Sequence, residues 1–418
     1  MPSEISTVVD LLPFEKFFRA YISYFWFYSF NKNRTVSSVV EAIQKGVDRT
    51  VQAMPVLSGV LKEDKQTGHV YITYNCSRTL VSLAHATETL EELEKSNYNQ
   101  NTCKIFVEQK LELTNLPGIN NIPVLQVQVI ELGCGSLCVC IMCHHVAMDG
   151  AATAYVAESI GRASRGLGVC AIECNRMWLN KLLHGLQPQE TPGNRHIRRL
   201  GKLAANVVNM EETRRHQIGI DLQGVGRLKQ LDPECSTNTL VMALMWRTWT
   251  RTLVELGSRS EFTYLGWPID MRTHAGQPNY LGNLFLPYMG YETKHFVLNE
   301  PLPVVAQRLR DFTQRTSLQE LSGYNQSVIN CDSDTRSILE QSDSPALSFS
   351  NTTRMPIDQV DFGLGALQSV QMLHIDAPIM MFAISSGRNI LINVVMPQRV
   401  AKLFKADAEF SLFARFLY

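Results

Sequence analysis

The chain of 418 residues has no surplus of charge: 39 Lys and Arg stand against 39 Asp and Glu. Proteins that neutralise nucleic-acid phosphates want a basic excess, so nucleic acid is not an expected partner. Nor is there an apolar run near the roughly 20 residues that a membrane-spanning helix needs. The aromatic stretch 21–30 is too short, and no membrane span is expected. Residues 1–12 contain Glu4 and Asp10 and no basic segment, so nothing there reads as a secretory signal. The expectation is a cytoplasmic protein.

Metal-site spacing is missing as well. Cys140 and Cys143 form a C-x₂-C pair, but no second pair completes a zinc set. In a strand, Cys138 and Cys140 share a face and Cys143 lies on the other. These thiols are read as small core hydrophobes, and no metal is expected. The chain also lacks a G-x-S-x-G elbow, a P-loop and a G-x-G-x-x-G following a strand. With no enzyme nucleophile in sight, any group transfer would run directly between two substrates.

What remains is an ordinary globular composition, 45% apolar and 19% charged, with strands and helices alternating in both halves. Residues 16–30 read as an early strand, and the apolar spacing over 36–54 predicts a helix that stops at Pro55. Strands over 124–131 and 136–143 form a hairpin turned by Gly133 and Gly135. The second of these runs into His144-His145-Val146-Ala147-Met148-Asp149-Gly150, and a helix follows over 151–163. Residues 184–199, rich in Gly, Pro and basic side chains, read as an exposed crossover. Beyond it come a helix over 237–253, four strands between 346 and 396 and a closing helix over 400–416. Arg195, Arg198, Arg199 and Lys202 form a basic run in the crossover that would suit phosphates or simply face solvent.

Moving an acyl group to an alcohol or amine requires removal of the nucleophile's proton and stabilisation of an oxyanion. Histidine suits the first task because its reference pKa lies near neutrality. A single histidine is more often structural, and His144, of opposite strand parity to His145, is expected to face away. Asp149 follows His145 by four residues, a spacing that unites two side chains on a helix but not at a strand-to-loop turn. The sequence leaves both arrangements open.

His145-Val146-Ala147-Met148-Asp149 matches an H-x-x-x-D motif, and Asp361-Phe362-Gly363-Leu364-Gly365 matches D-F-G-W-G but for one residue. With them, in order along the chain, come Pro55-Val56-Leu57-Ser58-Gly59, Ser236-Thr237-Asn238, Asp270-Met271-Arg272 and Gly282-Asn283. In these features the chain resembles the BAHD acyltransferases, including their fungal relatives, within the chloramphenicol acetyltransferase-like superfamily. The resemblance implies an α/β fold of two chloramphenicol acetyltransferase-like domains with mixed sheets, joined by a long crossover. On this reading residues 1–180 form the first domain, 181–217 the linker and 218–418 the second. A channel between the domains would admit acyl-CoA from one side and the acceptor from the other. His145 would be the general base. Asp149 would be structural, paired with Arg272, with Gly150 supporting the same loop. The motif at 361–365 would support the fold or CoA binding away from the chemistry.

Two departures matter. Leu364 replaces the motif's tryptophan, and Asn351-Thr352 stand where plant members carry Ser-Trp, whose tryptophan is proposed to assist the tetrahedral intermediate. Ser350, Asn351 and Thr352 are therefore the oxyanion candidates. The departures favour a fungal-type member that acetylates a hydroxyl of a secondary metabolite, with acetyl-CoA as co-substrate and a monomeric state. Competing readings keep the fold but use an acyl carrier protein as donor, acylate an amine, or turn the channel to cyclisation or ligand binding without CoA.

Overall fold

The computed structural model describes residues 7–30, 34–64, 66–67, 69–74, 79–107, 120–170, 173–174, 176–189, 213–329, 346–373 and 379–418. The basic run from Arg195 to Lys202 lies outside these residues, as does most of the crossover. Described residues divide into two units, one comprising 1–180, 276–284 and 355–375, the other 181–275, 285–354 and 376–418.

Among the described residues, the first unit holds eight strands before residue 150: β1 (Thr7–Asp10), β2 (Tyr21–Phe30), β3 (Val60–Glu63), β4 (Val70–Tyr74), β5 (Val81–His85), β6 (Asn120–Pro123), β7 (Leu125–Glu131) and β8 (Leu137–His144). A small sheet runs β1-β4-β3-β6. The main sheet runs from the strand Gly365–Met372 through β2, β8 and β7 to β5. β7 and β8 form the expected hairpin, closed by the Gly135 N–H on the Leu132 carbonyl at 2.8 Å.

β2 and β8 lie inside the sheet and are covered on both faces, which is why each is mostly apolar along its length rather than alternating. On one face Phe25, Phe27, Cys138, Cys140 and Met142 pack against Leu93, Tyr98 and Phe106. On the other, Trp26 donates through Nε1 to the Ile357 carbonyl at 2.7 Å and Tyr28 through its hydroxyl to the Val360 carbonyl at 2.8 Å. Burying each such aromatic contributes about 1.5–3 kcal/mol. Burial also pushes the Cys138 and Cys140 thiols far up and the Cys143 thiol up to about 12. They behave as core atoms rather than thiolates.

Among the described residues, the two longest helices of this unit come next, while shorter ones span Leu90–Lys95 and Lys104–Val107. α1 (Val36–Ala53) is capped by Thr35, whose hydroxyl accepts from the Ser38 N–H at 3.2 Å. It buries Val39, Ile43, Val47 and Val51, one face at helical spacing, and stops before Pro55. α2 (Gly150–Ser164) follows the histidine motif directly and packs on α1.

The domain boundaries expected from sequence need correction. Gly365–Met372 pairs antiparallel with β2 in the first unit's sheet rather than joining a domain that runs unbroken from 218 to 418. Residues 276–284 likewise belong to the first unit.

The second unit contains β9 (Thr213–Ile220), β10 (Phe262–Asp270), β11 (Phe285–Thr293) and β12 (Leu347–Asn351). Counting Gly365–Met372 as β13, it continues with β14 (Met380–Ser386), β15 (Asn389–Pro397) and β16 (Arg415–Phe416). These form a mixed sheet in the order β11-β10-β12-β14-β15-β9-β16, with β12 parallel to both its neighbours. Its long helix α3 (Thr237–Glu255) begins at Ser236, whose hydroxyl accepts from the Thr239 N–H at 3.1 Å. α3 is buried almost all round from Leu240 to Leu253, and its buried polar side chains are paired: Thr248 donates to the Leu244 carbonyl at 3.0 Å and Arg247 to Glu409 at 3.0 Å. The single closing helix expected over 400–416 is two, α4 (Gln398–Ala406) and α5 (Ala408–Phe413), followed by β16. Asp407 breaks it, because its carboxylate caps α5 through the Phe410 N–H at 2.8 Å and holds Arg251 at 2.9 and 3.0 Å. Among the described residues, no helix is long and apolar enough to cross a membrane.

Candidate active site

β8 ends at His144, and the next residues turn out of the sheet before α2 begins. The turn is pinned by backbone bonds from His145 N–H to the Ala20 carbonyl and from Ala147 N–H to the His144 carbonyl, both 2.8 Å. His144 and His145 thereby diverge, as strand parity predicts. His144 is buried, its ring edge-on to Tyr21, and its Nδ1 accepts from the Val146 N–H at 3.3 Å. Burial, with His145 and Arg19 nearby, pulls its pKa down to about 3. It is a neutral structural histidine.

His145 is half-buried and stacks on the Phe18 ring, centroids 4.7 Å apart and planes 21° from parallel. Its Nδ1 lies 3.2 Å from Oδ1 of Asn283. Burial lowers its pKa, while backbone hydrogen bonds, the Asp149 charge and Asn283 act in the opposite sense. The net effect is an imidazole kept neutral, able to accept a proton near pH 7.

Asp149 does not share a helical face with His145. It sits one residue before α2 and caps it, Oδ1 accepting from the Ala152 N–H at 3.0 Å. Oδ2 accepts from the Leu284 N–H, also at 3.0 Å. Gly150 is the first helical residue behind it. Arg272 lies in the second unit, buried, with its Nη1 3.1 Å from Asp270 Oδ1.

Leu284 closes the short segment 276–284, which also delivers Asn283 to the histidine. Gly282 reaches this position with φ at 154°, and a Cβ there would sit 2.7 Å from the Tyr280 ring. Only glycine fits. Asn283 is fully buried, and its Nδ2 lies 2.9 Å from the His145 carbonyl, 3.1 Å from the Val146 carbonyl and 3.3 Å from Glu15 Oε1. Glu15, also fully buried, accepts from Arg176 Nη1 at 2.7 and 2.8 Å and from the Leu12 N–H at 2.8 Å. Arg176 donates in turn to the Ala147 carbonyl. Gly282-Asn283 was legible only as a motif match, with no role attached. Glu15 and Arg176 carried no signal at all, lying 130 and 31 residues from His145 in the chain.

The oxyanion candidates stand at the end of β12. Thr352 leaves the set, since its hydroxyl donates its one proton to the Ala383 carbonyl at 3.0 Å. Asn351 Oδ1 accepts from Thr353 Oγ1 at 2.6 Å and from the Thr353 N–H at 2.8 Å, while Nδ2 donates to Asn238. That leaves Ser350 and the second amide proton of Asn351.

The motif at 361–365 serves the far end of α2. Asp361 pairs with Arg165 at 2.8 Å and accepts from the Gly363 N–H at 2.7 Å. Gly363 turns with φ at 72°, and its carbonyl accepts from Arg34 at 2.9 Å. Leu364 is buried where the motif usually has tryptophan. The helix puts about 22 Å, at 1.5 Å per residue, between this cluster and the histidine turn.

A model of the Transferase family matches residues 8–411. The chain belongs to that family, the BAHD-type acyltransferases its motifs resemble, and is an acyltransferase. Among solved structures it is similar to F. graminearum TRI101 complexed with ethyl coenzyme A, with TM-score 0.80, 17% identity, and coverage of 99% of this chain and 100% of that one. The same protein complexed with coenzyme A and T-2 mycotoxin matches at TM-score 0.79, 17% identity and the same coverage. Vinorine synthase matches at TM-score 0.71 and 14% identity, covering 99% of this chain and 95% of that one. These likenesses establish the α/β fold of two chloramphenicol acetyltransferase-like domains. No curated protein sequence matches significantly.

Proposed function

We propose that the protein transfers an acyl group, most simply acetyl, from acyl-CoA to a hydroxyl of a small secondary metabolite, with His145 as general base. The observation that carries this reading is an imidazole held at a strand end by Phe18 and Asn283, within an acyltransferase family. The TRI101 complexes with coenzyme A and either T-2 mycotoxin or deoxynivalenol support both halves of the substrate pair.

The imidazole takes the acceptor's hydroxyl proton as its oxygen attacks the thioester carbonyl carbon. The tetrahedral intermediate expels the CoA sulfur, which receives that same proton from the imidazolium. No residue of the enzyme is acylated. Ser350 and Asn351 remain the proposed donors to the oxyanion, and Arg272 is kept as a support of the motif loop alongside Asp149 and Gly150.

Thiol release from acetyl-CoA with a panel of hydroxylated natural products tests this. Acceptor-dependent release that collapses in a folded His145→Ala variant is the expected result. Undiminished release in that variant would remove His145 from the mechanism.

A further inference from the structure

Three side chains from separate parts of the first unit meet beside its small sheet. Asp10 ends β1 and stands opposite Tyr71 of β4. His69 immediately precedes β4, and its ring stacks on that of Tyr71, centroids 5.9 Å apart and planes 18° from parallel. Lys16 comes from the helical turn Pro13–Phe17. Its Nζ lies 3.1 Å from His69 Nδ1, and His69 Nε2 lies 3.2 Å from Asp10 Oδ1.

The placement of protons along this row follows from the groups themselves. Lysine nitrogen supplies protons, and an ionised carboxylate only accepts them. His69 therefore accepts from Lys16 through Nδ1 and donates to Asp10 through Nε2. The backbone holds both ends of the first contact. The His69 carbonyl accepts from the Asp64 N–H at 2.8 Å, and the His69 N–H donates to Thr67 Oγ1 at 3.2 Å. The Lys16 carbonyl accepts from Arg19 Nε at 3.3 Å.

A nucleophile bonded to a base, with that base oriented by a third group, is the arrangement that activates hydroxyls and thiols in covalent catalysis. Here an amine holds the first position. Lysine attacks only as the free amine, and burial lowers the Lys16 pKa below the usual lysine value, against the raising effects of Asp10 and Glu15. Lys16 and His69 are only partly buried. The family's co-substrate, acyl-CoA, is an electrophile that such an amine can meet.

We propose that Lys16 is a self-acylation site, its amine taking the acyl group of acyl-CoA with His69 as base and Asp10 orienting that base. Lys16 first sheds one proton to solvent. The free amine attacks the thioester carbonyl carbon and a C–N bond forms. A second Nζ proton passes to His69 Nδ1, and Asp10 stabilises the imidazolium. The C–S bond breaks, and the departing CoA sulfur takes that proton from His69. The products are an Nζ-acyl amide and CoA thiol. An amide does not hand its acyl group on to an alcohol, so acyl-Lys16 lies outside the transfer cycle, and direct transfer through His145 still acylates no residue.

The test incubates the whole protein at pH 7.5 with acetyl-CoA and no acceptor, and maps acetyl-lysine over time by peptide mass spectrometry. Lys16 is expected to label well ahead of Lys45 and Lys402, both exposed and outside this row. His69→Gln keeps an acceptor but cannot carry the proton. It should slow Lys16 labelling about 100-fold, the low end of what a positioned base contributes. Asp10→Asn, which still accepts from Nε2, should slow it less. His145→Ala should label at Lys16 as wild type does. Lys16 labelling no faster than Lys45 and Lys402 overturns the proposal, as does undiminished labelling in a folded His69→Gln protein. Loss of Lys16 labelling in His145→Ala also overturns it, because the acyl group would then have arrived through His145. Thiol release to an alcohol acceptor reads His145 separately, so failure of the base assignment and failure of the Lys16 site are told apart.

Discussion

Oδ2 of Asp149 accepts a hydrogen bond from the backbone N–H of Leu284, 135 residues further along the chain. The other oxygen of the same carboxylate caps α2. One side chain thus ties the helix that follows the histidine turn to the segment that delivers Asn283.

Removing that carboxylate should therefore damage both stability and turnover. Asp149→Ala loses a cap worth about 0.5–2 kcal/mol and strands the Leu284 N–H in a buried setting at a further cost of about 1–3 kcal/mol. Urea denaturation should give a loss of roughly 2–4 kcal/mol on those two grounds. Asp149→Asn, which keeps one acceptor oxygen, should fall between the two. An Asp149→Ala protein as stable as wild type would contradict this account of the motif aspartate.

Activity should survive into mild acid. The pKa of His145 lies below the ordinary 6.5 because of burial, and a general base is lost only when pH falls through its own pKa. The acid limb of kcat/KM for the acceptor, which reports the free enzyme, should have its midpoint below 6.5. A limb centred above neutrality would mean that a different group, or an unburied histidine, sets the rate.

His144 makes a separate pH prediction, on stability. Its folded pKa of about 3 lies under its unfolded 6.5, so the unfolded chain binds more protons between those values. Its contribution is intact above 6.5 and drains as pH falls toward 3, at no more than ~1.4 kcal/mol per pH unit. Comparing wild type with His144→Asn by urea midpoints at pH 7 and pH 5 isolates it from the carboxylates. The gap between the two proteins should narrow at pH 5.

Glu15→Ala should be among the most damaging single changes in the first unit. It leaves Arg176, whose side chain is only 12% exposed, without its carboxylate. Breaking one side of a buried pair costs about 3–5 kcal/mol. By contrast, Arg165→Ala breaks a pair whose members are 35% and 47% exposed, worth about 0.2–1 kcal/mol. It should leave kcat unchanged. Thermal melts of the two variants side by side would show whether the ranking holds.

Legibility in the sequence followed locality. The histidine, its aspartate and the helix behind them are contiguous, so a motif could reveal them. α1 and α3 announced themselves by the spacing of their apolar residues. The break at Asp407 was also local and could have been read, since an Asp followed by Ala-Glu-Phe is an N-cap pattern. What escaped was long-range. Nothing near Glu15 marks it as buried, because burial there depends on Arg176 and Asn283 arriving from elsewhere. The pairing of Gly365–Met372 with β2 is invisible for the same reason. The Thr352 hydroxyl looked available because its acceptor, Ala383, sits on a neighbouring strand.

The pairing of β13 with β2 sets an order on how the first unit's sheet is completed. β2 leaves the ribosome early, but its partner β13 is not complete until Met372 has been synthesised. At about 5–20 residues per second, the first unit waits some tens of seconds with an edge of its central sheet unpaired, and that edge is Tyr21–Phe30, its most aromatic strand. A fragment ending at residue 180 keeps the histidine motif but lacks both β13 and the segment carrying Asn283. Until β13 is complete, the nascent N-terminal half exposes an aromatic strand edge of the kind that pairs with other chains.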